Sequence, residues 1–216
     1  MKYFGVIDHE HLDNAVFLTA LAQALDRFNY SEHHYILLHG DSEYTDRIIQ
    51  SGVMREEAMR RSIRGLNNRL VALLADEGIS AIGLNGFQRK LIVRENEEIR
   101  VDTDYLDGLP TSPVWLISSL IQDLDRDERV PLALSELTSI LCKSLAIDRV
   151  YLFARTEDNL FDEVDPGKNH PWDTLDEDFI ETYIPADFQQ YRGPIRLTTA
   201  KNFGDTESEQ MYIDIG

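Results

Sequence analysis

The stretch YILLHG, Tyr35 to Gly40, is an apolar run that ends in glycine and passes at once into the helix-compatible DSEYTDRIIQ. This is how a strand of a parallel sheet hands over to its crossover, and it restricts the chain to folds that cover such strands on both faces. The pattern recurs. YFGVID (Tyr3 to Asp8) precedes LDNAVFLTALAQALDRF, which sets Val16, Leu21, Leu25 and Phe28 at helical spacing. REEAMRRSIRGLNNRLVALLADEG reads as a long amphipathic helix stopped at Gly78, and ISAIGLNG as a strand ending in a second glycine turn.

Beyond Gly86, RKLIVRENEEIRVD predicts a hairpin around the polar ENEE, placed at the edge or rim of the sheet. SPVWLISSLIQDL has a serine start and apolar helical periodicity and predicts a helix. SELTSILCKSLAI predicts one more helix, RVYLFA one more strand, and IRLTT and MYIDI two short strands near the end. The order predicts an α/β protein, a three-layer α/β/α sandwich with a mostly parallel sheet. Residues 1–155 form its core. Residues 156–216 turn acidic and irregular and form a shortened C-terminal part packed on the same domain.

Charge narrows the partners. A formal net charge of -18 and a pI near 4.6 repel nucleic acid and anionic membrane surfaces. No apolar stretch approaches the roughly 18 residues of a membrane helix, and the N-terminus lacks a long apolar signal core. The single cysteine, Cys142, excludes an intramolecular disulfide and fits a reducing, cytoplasmic setting. No nucleophile elbow, dinucleotide fingerprint or P-loop occurs. His9 and His11 alternate beside Asp8 and Glu10 as two zinc ligands would, but six histidines in an acidic chain make a chance pattern, and no metal site is assigned. DLDRDER and DEVD lack the spacing and glycine of a calcium loop and read as solvated loops.

Amides at a turn after a strand attract anions. Gly40 and Gly86 read either as glycines that permit positive φ or as anion contacts, and Asn85 either as a left-handed turn residue or as a ligand-binding one. Asp41 adds a negative charge at the first turn. Arg55, Arg60, Arg61 and Arg64 cluster on and before the long helix, where salt bridges to the excess carboxylates compete with a grip on an acidic ligand.

The order of these pieces resembles the amino acid kinase family, and within it acetylglutamate kinase. LLHGDS stands where that family has a His-Gly-Gly-Gly turn, NNRLVALLADEGI matches an Asn-x-x-Leu-Val element, and AIGLNG matches a Val-Gly-Leu-Ser-Gly turn. RVPLAL and LAIDRVYLFA resemble two later strands. The resemblance implies ATP and Mg2+ as cofactors, a small acidic metabolite as substrate, phosphoryl transfer to its carboxylate, and a homodimer through the long helices. Substrate contacts would fall on Gly40, Asp41, Ser42, Arg55, Asn67, Gly83, Asn85 and Gly86, and the first lysine on Lys2.

The departures are chemical. With YFGVID as the first strand, the lysine position falls near Asp8 and His9; the organising aspartate falls near Ser135 or Glu136, and a Thr-Asp pair on Ala154 and Arg155. Lys168 and Lys201 are the only lysines beyond residue 155. Each lost phosphate contact removes roughly 10²-fold or more of rate. Two functions stand: an acetylglutamate-kinase-like enzyme, or a catalytically inactive homologue acting as a ligand sensor or partner subunit.

Overall fold

The structure, a computed structural model, describes residues 2–27, 33–110, 114–204 and 212–216. Phe28, Ser112 and Met211 lie outside the described residues. Two sheets form the frame. The larger contains β1 (Lys2–Ile7), β2 (His34–His39), β3 (Ala81–Asn85), β6 (Val114–Ser118), β9 (Val150–Phe153), β10 (Asn169–His170), β11 (Ile195–Thr198) and β12 (Tyr212–Ile215), in the order β10-β12-β11-β9-β1-β2-β6-β3. Its pairs are parallel except β11 with β12. The smaller has the order β5-β4-β7-β8, built from β4 (Ile92–Glu95), β5 (Glu98–Val101), β7 (Leu120–Asp123) and β8 (Glu128–Pro131).

The helices are α1 (Ala15–Asp26), α2 (Tyr44–Gln50), α3 (Arg55–Asp76), α4 (Thr103–Asp107), α5 (Leu134–Leu145), α6 (Leu160–Glu163) and α7 (Glu177–Tyr183). Alternation along the central strands builds the two cores. Tyr3, Tyr35, Leu37 and Leu116 face one side, where Leu18 and Leu21 of α1 and Leu66, Leu70 and Leu74 of α3 cover them. Phe4, Ile36, Leu38 and Ile117 face the other, against Leu137 and Leu141 of α5 and Phe179 and Tyr183 of α7. The sandwich predicted from sequence is the observed fold, and three strands from beyond residue 155, β10, β11 and β12, lie in its main sheet.

Local chemistry explains the element ends. Asn14 accepts hydrogen bonds from Val16 and Phe17 amides and starts α1. Val16, expected on the buried face, is 81 % exposed, because the apolar stripe runs through Phe17, Leu18, Leu21 and Leu25 instead. Past α3, Gly78 has φ +79°, and the amides of Gly78 and Ile79 reach back to Ala75 and Leu74, the left-handed stop that glycine permits.

Two expectations are corrected. The segment expected as a helix from Ser112 onward contains β6 and β7. Every residue of β6 is buried between β2 and β3, and a strand buried on both faces shows a continuous apolar run that periodicity cannot tell from a buried helix. The hairpin β4–β5 forms, but in the smaller sheet beside β7 rather than on the rim of the larger one. Among the described residues no helix is long and apolar enough to cross a membrane.

Candidate functional site

In the parallel part of the large sheet the strands point the same way, so residues leaving β1, β2, β3, β6 and β9 gather on one edge. Ile7 pairs with His39 and Asn85 with Ser118 at that edge, whereas Lys2 pairs with His34 at the other. Connections run outward from β1 through β2 in one direction and through β9 and β11 in the other, which makes this edge a crevice of the kind where α/β proteins bind ligands.

A cleft opens there in two lobes of ≈ 350 and ≈ 240 Å3. His9, Asp41, Met59 and Asp187 border both. Asp8, Ser42, Thr45 and Arg55 border the first; Gly40 and the Leu132–Leu134 segment border the second.

Asp8, the residue after β1, is turned into structure. Its Oδ1 accepts from the Glu10 and His11 amides at 2.8 and 3.1 Å, and its Oδ2 lies 2.9 Å from His11 Nδ1. His11 Nε2 lies 3.1 Å from the Ala154 carbonyl, so the ring ties the exit of β1 to the exit of β9. Both ring nitrogens are thereby occupied, which takes His11 out of a zinc pair. Arg155 closes the same flank, bonding Glu10 through Nε at 3.0 Å and the Glu181 carbonyl through Nη1 at 2.7 Å.

At the exit of β2, His39 is wholly buried. Its Nδ1 donates to the Gly40 carbonyl at 3.0 Å and its Nε2 accepts from Asn67 Nδ2 at 3.0 Å. The second Asn67 hydrogen goes to the Leu116 carbonyl at 3.1 Å. Asn67 is therefore a rivet between α3, β2 and β6, buried away from the cleft. Burial pushes the His39 pKa down to about 4, the Gly40 carbonyl opposing. Asp187, brought in by a single helical turn at Ala186–Phe188, has its pKa raised by dehydration in the cleft and then by the Asp8 and Asp41 carboxylates, with His9 opposing.

The sequence-predicted residues divide into two groups. Gly40, Asp41, Ser42 and Arg55 come together around the cleft. Asn85 and Gly86 reach the same edge but line neither lobe, and their turn is filled by its own side chains; Gly83 sits in mid-strand, paired with Leu116. Gln88 Oε1 accepts from the Asn85 amide at 3.2 Å, and the Ser118 hydroxyl donates to Asn85 Oδ1 at 3.0 Å. Neither Gly40 nor Gly86 has positive φ. A Cβ on Gly86 would stand 2.9 Å from the Leu120 carbonyl, and one on Gly83 2.4 Å from Asn67 Oδ1, so close packing accounts for both. Lys2 donates to the Leu145 carbonyl at 3.2 Å, across the sheet from the cleft. Lys168 and Lys201 pair with Asp165 and Glu157 on the surface.

Of the arginine cluster, Arg60 and Arg61 bond Glu57 at 3.2 and 2.6 Å. Among the described residues Arg55 is the single lysine or arginine bordering the cleft. Asp187, Met59 and the Leu132–Leu134 wall were missed in the sequence. Nothing in it signals that Asp187 faces Asp8, nearly 180 positions earlier.

The architecture is that of the amino acid kinase fold. Aspartate kinase from Synechocystis superposes with a TM-score of 0.64 at 13% identity over 100% of this chain and 40% of its own. An isopentenyl phosphate kinase gives 0.63 at 13% over 100% of both chains. N-acetylglutamate synthase from Neisseria gonorrhoeae, in complex with coenzyme A and L-arginine, gives 0.65 at 10% over 100% of this chain and 61% of its own. This chain thus spans well under half of the aspartate kinase. At such identities the likeness speaks for the fold alone. No family model matches the sequence, and no curated protein matches it.

Proposed function

We propose that this chain is a non-catalytic protein of amino acid kinase fold that holds a compact polar ligand at the exits of β1 and β2 and serves as a sensor or partner subunit. One observation carries the reading: Asp8, Asp41 and Asp187 line the cleft at the exits of β1 and β2, with Arg55 its single lysine or arginine among the described residues. Transfer from a nucleoside triphosphate relies on positive groups and amides that neutralise charge as it moves. Here the lining offers carboxylates and one rim arginine, which do not fit a triphosphate. The larger lobe suits a small molecule.

A second reading has Arg55 in its favour. Its guanidinium borders the cleft and forms no ion pair among the described residues, a geometry open to the carboxylate of a small acidic metabolite. In that reading the chain is acetylglutamate-kinase-like and uses ATP and Mg2+. Calorimetry with MgATP and an ADP-release assay with acetylglutamate separate the two. The first reading expects no heat and no ADP; steady ADP release that disappears in Arg55→Ala would establish the second.

A further inference from the structure

A groove of ≈ 620 Å3 lies between the first half of α3 and the β7–β8 hairpin, bordered by Arg60, Arg61, Arg64 and Arg129. It is separate from the cleft. Met59 and Ile63 of α3 border the cleft, whereas Arg60 and Arg64, each one residue further along, stand about 100° round the helix and border the groove. A chain with 39 acidic side chains and 21 lysines and arginines thus gathers four guanidiniums at one place, against its overall sign.

The groove already holds one carboxylate of its own. Glu57 Oε2 accepts from Arg60 Nε at 3.2 Å and Glu57 Oε1 from Arg61 Nε at 2.6 Å, so one carboxylate is shared by two guanidiniums. The other pair is not engaged in this way. The Arg64 and Arg129 guanidiniums have no hydrogen-bond or ion-pair partner among the described residues. Arg129 lies over the Phe87 ring, its Cζ 4.3 Å from the centroid, and the Phe87 amide is fixed to the Leu120 carbonyl at 2.8 Å. Stacking uses the flat face of a guanidinium and leaves the N–H donors at its edge for a carboxylate.

Asp127 and Glu128 also border the groove and oppose an anion. A single carboxylate gains little against them; several on one molecule gain more. Arg60 and Arg64 are one helical turn apart, with Cβ atoms about 5–6 Å from each other, a spacing that a short carbon chain bearing carboxylates spans.

We infer that this groove binds a small polycarboxylate, its acidic groups taken by the Arg64 and Arg129 guanidiniums and by Arg60 in competition with Glu57. The inference is independent of what the cleft at the exits of β1 and β2 holds.

The test is calorimetry and amide NMR on the whole chain with acetate, butanedioate and propane-1,2,3-tricarboxylate, at about 0.15 M salt, where diffuse attraction is screened. Sulfate is run alongside. Affinity should rise along the carboxylate series, with saturable tricarboxylate binding and shifts at Arg60, Arg64, Leu120 and Arg129. Arg64→Gln and Arg129→Gln should each weaken it by about tenfold or more, while Glu57→Gln, which releases Arg60 and Arg61, should tighten it by about threefold or more. Lys168→Gln, the same loss of charge at an exposed position elsewhere, should leave it unchanged. The inference is overturned by absence of saturable binding, by binding indifferent to both arginine substitutions or not tightened by Glu57→Gln, by sulfate binding as tightly, or by shifts at Asp41 and Arg55 instead. ADP release from MgATP would overturn the proposed function and leave this inference standing.

Discussion

Asn67 presents an amide hydrogen to His39 Nε2 at 3.0 Å, and by doing so fixes that nitrogen as an acceptor. A proton added there would meet a donor in a site with no access to water. Burial accordingly holds the His39 pKa near 4, against 6.5 for an ordinary histidine.

The sign of the pH effect follows. Between pH 6.5 and 4 the unfolded chain binds a proton at this position that the native chain refuses, so His39 costs nothing above pH 6.5 and progressively destabilises the fold on acidification. The loss amounts to about 2–3 kcal/mol by pH 4.5. Urea unfolding of the wild type and His39→Gln at pH 7 and pH 4.5 measures it: the wild type should lose more by that amount, and equal losses would refute the assignment.

Gly83 and Asn67 interlock. Gly83→Ala forces a Cβ to 2.4 Å from Asn67 Oδ1 and 2.9 Å from Val71 Cγ2, and should cost about 1–3 kcal/mol in chemical denaturation. Because the clash is with Asn67 itself, Gly83→Ala combined with Asn67→Ala should cost less than the two separately. Additive losses would place the strain elsewhere.

On the far half of the sheet, Asp214 holds Arg196 through Nε and Nη2 at 2.8 and 3.0 Å and Arg149 through Nη1 at 2.6 Å, while Arg196 lies 3.5 Å over the Tyr212 ring. Arg196 and Asp214 side chains are only 12 and 13 % exposed. Asp214→Asn should therefore destabilise by roughly 3 kcal/mol, and high salt should rescue little of it. Lys168→Ala, which removes an exposed pair with Asp165, should leave the unfolding midpoint unchanged.

Cys142 offers a chemical readout. Burial lifts its thiol from 9.0 to about 12, so at pH 8 the thiolate is scarcer by roughly a thousandfold than in an ordinary cysteine. Ellman's reagent should react slowly with the folded chain and promptly once urea unfolds it. Rapid reaction under native conditions would contradict the packing around α5.

Much of the fold was legible because local and global signals agreed. The apolar run of β2 and the stop of α3 at Gly78 are both written in neighbouring residues. β6 misled for the opposite reason: burial on both faces erases the two-residue alternation that marks a strand. The site was half legible. Gly40, Asp41, Ser42 and Arg55 surround the cleft because they follow one strand and begin the next long helix. Gly86 reads in the sequence as either a positive-φ glycine or an anion contact, and Gly83 as a contact that the resemblance implies; the close approaches to them are by Leu120 and Asn67, which only the packed structure brings near. Asp187 joined through a segment whose sequence carries no periodicity to place it.

One short piece of backbone couples the two sheets. β6 ends at Ser118 and β7 begins at Leu120, so Ser119 alone separates them, its amide held by the His39 carbonyl at 2.8 Å and its carbonyl by the Leu132 amide at 2.9 Å. Ser119 also borders the second lobe, so the joint between the sheets is part of the wall of the cleft. Any substitution that shifts this one residue disturbs the exit of β2, the Leu132 wall and the root of the small sheet at once.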